Sequence, residues 1–123
     1  MTPLPTIKAT FKLDDDGHPG AILDGDRKHY RIRLQVDNAP NDTYAVTYLL
    51  HPTYYDPVRE SRDRSEGFAE DLTSYGDFTV HAKIRSREGV MTVSAPLSTA
   101  LETGYGAQLT PAIAAALDDI RAQ

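Results

Sequence analysis

The chain contains no cysteine, no tryptophan and no long apolar run in its 123 residues. Without cysteine there are no disulfides, thiolate nucleophiles or thiolate zinc sites, so stability has to come from packing. A membrane-spanning helix needs roughly 18 to 20 consecutive apolar residues, and none is offered. The opening Met1-Thr2-Pro3-Leu4-Pro5 lacks the basic-then-apolar layout of a secretory signal. A soluble protein of the cytoplasm with no membrane partner is therefore expected. A clustered basic face is missing as well, because net charge is −5 and the basic residues are dispersed among acids. Phosphate backbones are bound by grouped Lys and Arg, so no nucleic-acid partner is expected. The length and the balance of apolar to charged residues suit one domain with a single core of modest size.

What the sequence does hold is alternation. Ile7, Ala9, Phe11 and Leu13 fall on one face of a first strand, with Lys8, Thr10 and Lys12 on the other. Asp14-Asp15-Asp16-Gly17 and His18-Pro19-Gly20 are dense in turn residues; a short strand around Ala21 to Leu23 and a turn at Asp24-Gly25-Asp26 follow. Tyr30, Ile32, Leu34 and Val36 line the inner face of the next strand, with the charges of Arg27 to Arg33 on its solvent side. Tyr44, Val46, Tyr48 and Leu50 form another inner face. His51-Pro52 stops that strand, since proline brings no N–H to a ladder.

Periodicity then fades. From Pro52 to Thr73 the chain reads as a long polar connection crowded with charge, of the kind that is functional or mobile in a compact domain. Alternation resumes at Phe78, Val80, Ala82 and Ile84, and again after the turn Ser86-Arg87-Glu88-Gly89 at Met91, Val93, Ala95 and Leu97. Six or seven such strands predict an all-β, immunoglobulin-like β-sandwich over residues 1–109. Residues 110–123 predict a short C-terminal α-helix. Thr110-Pro111 is a good start for it, and Ile113, Ala116, Leu117 and Ile120 form one apolar stripe. A helix of about eleven residues is marginal alone, so the stripe is expected to pack on the same domain.

Catalytic chemistry finds little to work with. The histidines stand in unrelated contexts: His18 in a turn, His29 at a strand start, His51 at a strand end and His81 on a polar face. Neither a nucleophile-base-acid set nor a close histidine pair for a metal emerges. Asp14, Asp16, Asp24 and Asp26 lack the distal Glu of a calcium loop and are explained by turn chemistry. No glycine-rich phosphate loop occurs. The reading is of a protein that is not an enzyme and carries no cofactor and no metal.

Two stretches remain, Leu50-His51-Pro52-Thr53-Tyr54 and Ser74-Tyr75-Gly76-Asp77-Phe78. Together with Tyr48-Leu49 before the first and Thr79-Val80 after the second, they resemble the two signature loops of the YEATS domains, most of all the prokaryotic branch. The likeness runs over roughly residues 6 to 98. It implies a β-sandwich with a ligand site between loops at one end. By the same resemblance His51, Thr53 and Tyr54 match one ligand loop of the acyl-lysine readers; Tyr75, Gly76, Asp77 and Phe78 match the other, which Ser74 opens. The implied partner is an acylated-lysine peptide or another protein. Eukaryotic readers often carry Trp where this chain has Tyr75, which stacks with less area.

The physical logic of such a slot holds on its own terms. Facing rings sandwich a flat acyl amide, and a Thr53 hydroxyl or a Tyr75 N–H would pair its polar atoms once water is expelled. An unmodified ammonium would lose its hydration there, whereas acylation removes that charge. Each residue also has a plainer reading. Phe78 opens an alternating strand and serves the core, His51 bonds a backbone carbonyl, and Gly76 makes a turn. Tyr54 and Tyr55 are adjacent, so in extended geometry one points in and the other out. The alternative function is a protein–protein adaptor domain of a bacterial signalling or defence system, without acyl-lysine binding, that docks its partner by a sandwich face or the helix stripe.

Overall fold

In the structure, a computed structural model describing residues 4–24, 27–52, 54, 57–74, 76–106 and 108–122, the alternation becomes two antiparallel sheets. The strands are β1 (Thr6–Phe11), β2 (Ala21–Asp24), β3 (Arg27–Asp37), β4 (Thr43–Leu49), β5 (Val58–Ser61), β6 (Glu70–Ser74), β7 (Thr79–Ser86) and β8 (Gly89–Pro96). Two helices follow, α1 (Leu97–Tyr105) and α2 (Pro111–Ala122). The first sheet is built on β3, which pairs with β1, β2 and β6. Ile32 and Leu34 are paired with β1 and also with β6, so those two strands flank β3 on opposite sides. The second sheet runs in the order β5-β4-β7-β8.

Most of the faces that alternation marked are the faces that meet; on β8 Val93 and Ala95 are only partly buried and Met91 is 42% exposed. Tyr30, Ile32, Leu34 and Val36 of β3 are buried, as are Ile7, Ala9 and Phe11 of β1, and they pack with Val46, Tyr48, Val80, Ala82 and Ile84 of the opposite sheet. Leu13 lies beyond the end of β1 and is exposed. Tyr44 departs from its expected inner face. The β4–β7 register shifts between Thr43 and Ala45, so that Ala45 is buried while Tyr44 is 49% exposed, with the Arg62 guanidinium 5.9 Å from its ring. A bulge adds one residue to the strand and turns the side chains on either side of it to opposite faces.

The long polar connection is also more structured than its composition implies. It contains β5, a 3₁₀ turn at Arg64–Glu66 and β6. Asp71 of β6 is matched across the sheet, accepting from Lys12 at 2.7 Å and from Arg33 at 3.0 Å. Charged residues tolerate a strand where partners on neighbouring strands face them. Between the turn and β6, Phe68 is buried at φ 55, a left-handed conformation, and its carbonyl accepts the Tyr48 hydroxyl at 2.7 Å.

Leu97 does not extend the last strand. It is the first residue of α1, a helix the alternation had hidden. That helix lies against β1, and Gly104 approaches the Ala9 carbonyl so closely that a Cβ would collide with it. At its end the Tyr105 hydroxyl accepts the Phe11 N–H at 2.8 Å and donates to the Phe11 carbonyl at 3.3 Å, covering polar groups on the free edge of β1. Helix α2 opens with the Ile113 N–H donating to the Thr110 hydroxyl at 3.3 Å. Its buried residues, Ile113, Ala116, Leu117 and Ile120, belong to the same apolar cluster as the sandwich interior. Arg121 pairs with Glu102 of α1, and Asp119 accepts the Tyr30 hydroxyl of β3 at 2.5 Å. Among the described residues no helix is long and apolar enough to cross a membrane.

Candidate functional site

Strand β4 stops at Leu49, and the excursion that follows is closed where the Leu50 N–H donates to the Pro57 carbonyl at 2.7 Å. Within it the Tyr54 N–H donates to the His51 carbonyl at 3.0 Å, a turn that includes Pro52. His51 is left exposed and Tyr54 half-buried. The second loop leaves β6 at Ser74. The buried Ser74 hydroxyl donates to the Gly76 carbonyl at 2.7 Å and accepts the Gly76 N–H at 3.3 Å, so its proton is committed within its own turn.

Phe78 joins the two loops. Its ring meets His51 edge-on, with centroids 6.3 Å apart and planes at 73°, and meets Tyr54 at 5.5 Å and 55°. These are the tilted geometries that aromatic quadrupoles favour. Half-buried and packed against the core, Phe78 has one side in each of its two readings. The Tyr54 hydroxyl reaches across to the Thr73 carbonyl at 2.7 Å, tying the first loop to the end of β6. The structure thus gathers His51, Tyr54, Ser74, Gly76 and Phe78 at one end of the sandwich. Thr53, Tyr55 and Tyr75 lie outside the described residues, as do Gly25 and Asp26 of the expected turn.

Asp77, the acidic member of the second motif, has a contact that the sequence does not indicate. Asp77 accepts two hydrogen bonds from Ser98, the N–H at 3.0 Å and the hydroxyl at 2.7 Å, while the Leu97 N–H donates to the Phe78 carbonyl at 2.8 Å. Asp77 therefore serves the start of α1, where Pro96 provides no side-chain cap of its own. The signal that would have revealed it is a helix beginning without a local capping residue. Among the described residues no group of three or more His, Asp and Glu is placed to hold a metal ion.

Comparison with known proteins agrees with this architecture. No curated protein matches the chain. Solved structures do: the Yaf9 YEATS domain recognizing an H3K122suc peptide is 19% identical with a TM-score of 0.54, over 76% of this chain and 74% of that one. The yeast AF-9 homolog protein Yaf9 is 20% identical with a TM-score of 0.54, over 79% and 70% of the two chains. The Yaf9 YEATS domain bound to H3K27ac is 21% identical with a TM-score of 0.52, over 76% and 73%. At such identities the likeness is one of fold. The sequence profile of the prokaryotic YEATS domain matches residues 30–95, more than half of the chain, including both loops and the strands that carry them. An immunoglobulin-like sandwich, two loops converging on Phe78 and that match together place the chain in the prokaryotic YEATS domain family.

Proposed function

We propose that the chain is a non-catalytic binding module that takes an acylated lysine of a peptide, or a similarly flat amide, between the 51–54 and 74–78 loops. The observation that carries this reading is the aromatic cluster at the mouth of the sandwich, where exposed His51 and half-buried Tyr54 both lean on Phe78. Two Yaf9 structures of the same fold are described with acylated histone peptides, one acetylated and one succinylated. In this proposal Tyr75 and Tyr54 supply the ring walls, and Thr53 with backbone N–H groups of the second loop pairs the acyl amide. Ser74 shapes the loop, because its hydroxyl is already spent on Gly76. Selectivity follows from desolvation. A lysine ammonium loses far more hydration in a ring-walled slot than a neutral amide does.

The adaptor reading has its own supporting observation. The Tyr54 hydroxyl is bonded to Thr73 and its ring packs on Phe78, a set of contacts that also suits loops that merely close the fold. Titrating the labelled protein with acetyl-lysine, crotonyl-lysine and unmodified lysine peptides separates the two by NMR. Saturable shifts at His51 to Tyr54 and Ser74 to Phe78, with acylated peptides only, are expected. They are readable even at ~1 mM affinity, about 4 kcal/mol. Silence at millimolar peptide would remove acyl-lysine as the ligand and favour a protein partner elsewhere on the sandwich.

A further inference from the structure

We infer that Asp77 is a positioning residue for the second ligand loop, and that the first turn of α1 is the anchor it is fastened to. The inference rests on the reading of the site given above, but its geometry stands apart from any ligand. Three hydrogen bonds join two consecutive loop residues to two consecutive helix residues: Ser98 N–H and hydroxyl to the Asp77 carboxylate at 3.0 and 2.7 Å, and Leu97 N–H to the Phe78 carbonyl at 2.8 Å. Leu97 and Ser98 are buried, so the anchor is fixed, whereas Asp77 itself is exposed. A carboxylate at a helix start also meets the positive end of the helix dipole. Immediately before Asp77 is Gly76, held by Ser74; immediately after it is Phe78, on which the rings of His51 and Tyr54 lean.

The anchor lies outside the stretch that matches the family, which ends at residue 95. The site's frame in this chain therefore includes its C-terminal helices. Helix α1 is in turn braced by Tyr105 on β1 and by the Glu102–Arg121 pair to α2. A loop fastened at both flanks is preorganised, and a ligand that needs it ordered is spared the cost of ordering it.

The test uses the whole chain and four proteins: wild type, Asp77→Ala, Asp77→Asn and Ser98→Ala. Amide hydrogen exchange is followed at Gly76, Phe78, Leu97 and Ser98, and affinity is measured for an acetyl-lysine peptide, well below each protein's melting temperature. Asp77→Ala is expected to speed exchange at Gly76 and Ser98 and to weaken the peptide, each by about tenfold. Asp77→Asn should restore both, since Asn serves a helix start as well as Asp does. Ser98→Ala, which removes one bond and keeps the other, should fall between. If Asp77→Ala only lowers the melting temperature, with loop exchange and affinity as in wild type, Asp77 is a helix cap and nothing more. If wild type binds no acylated peptide, the ligand reading fails. Exchange alone then decides: faster exchange confined to residues 76–78 and 97–98 upholds the anchor, and unchanged exchange overturns it.

Discussion

At the scale of single residues, two tyrosines on one strand show what side-chain spacing does and does not determine. Tyr44 and Tyr48 stand four apart in an alternating run, yet Tyr48 is buried while Tyr44 is 49% exposed. The bulge between Thr43 and Ala45 separates them, and nothing in the run Thr43-Tyr44-Ala45-Val46 announces it. Tyr48 has a second task. Its hydroxyl bonds the carbonyl of Phe68, whose left-handed backbone is costly for a bulky side chain unless its surroundings hold it there. Tyr48→Phe removes the donor and leaves a buried carbonyl without it, a loss of about 1–3 kcal/mol. Urea denaturation should show a lower midpoint with an unchanged slope. The matching change Tyr44→Phe, on the exposed side of the bulge, should stay within about 0.5 kcal/mol of wild type. Equal effects of the two changes would mean that Phe68 does not depend on that bond.

Among the elements, helix α2 was legible and helix α1 was not, for opposite reasons. Ile113, Leu117 and Ile120 recur at helical spacing behind a Thr-Pro start, so α2 carries its signals within itself. In α1 the signals are scattered. Ala95 and Leu97 prolong the alternation of β8, and the carboxylate that serves the helix start comes from Asp77, 21 residues upstream. Strand β6 was hidden in a similar way, because its Asp71 is matched by Lys12, just beyond β1, and by Arg33 of β3. At the site the sequence could name His51, Tyr54 and Phe78 one by one. It could not show that the Tyr54 hydroxyl is spent on Thr73 or that Asp77 faces a helix, since both bonds span the fold. Legible or not, α2 is fastened by burial. Ile120→Ala at a fully buried position should cost about 2–5 kcal/mol, through lost apolar contact and the cavity left behind. If denaturant midpoints for this variant match wild type, the stripe of α2 is not part of the cooperative core.

Across the whole molecule, buried and half-buried phenols tie strands to both helices and to the turn before β6, and they set how the fold meets alkaline conditions. Tyr30 of β3 reaches Asp119 of α2, Tyr105 of α1 holds the edge of β1, and Tyr48 crosses from β4 to Phe68. Burial pushes all three hydroxyls above the ordinary phenol range. For Tyr30 the hydrogen bond and charge of Asp119 add to the shift, for Tyr48 the charge of Glu70 does, and for Tyr105 the bond to Phe11 opposes it in part. The sign follows from which state holds the proton more tightly. The folded chain does, so these groups contribute full stability below the unfolded phenol value near 10, and that contribution shrinks as pH rises beyond it towards the folded values. Urea midpoints should therefore be insensitive to these tyrosines from neutral pH to about 9 and fall steeply above about 10. Phenolate absorbance should show Tyr30, Tyr48 and Tyr105 ionising together with unfolding. In Tyr30→Phe the alkaline fall should be shallower than in wild type, because one of the protons held only by the folded state is gone. A variant curve that runs parallel to wild type through this range would mean that the Tyr30–Asp119 contact does not survive in solution, and with it the tie between the first sheet and the C-terminal helix.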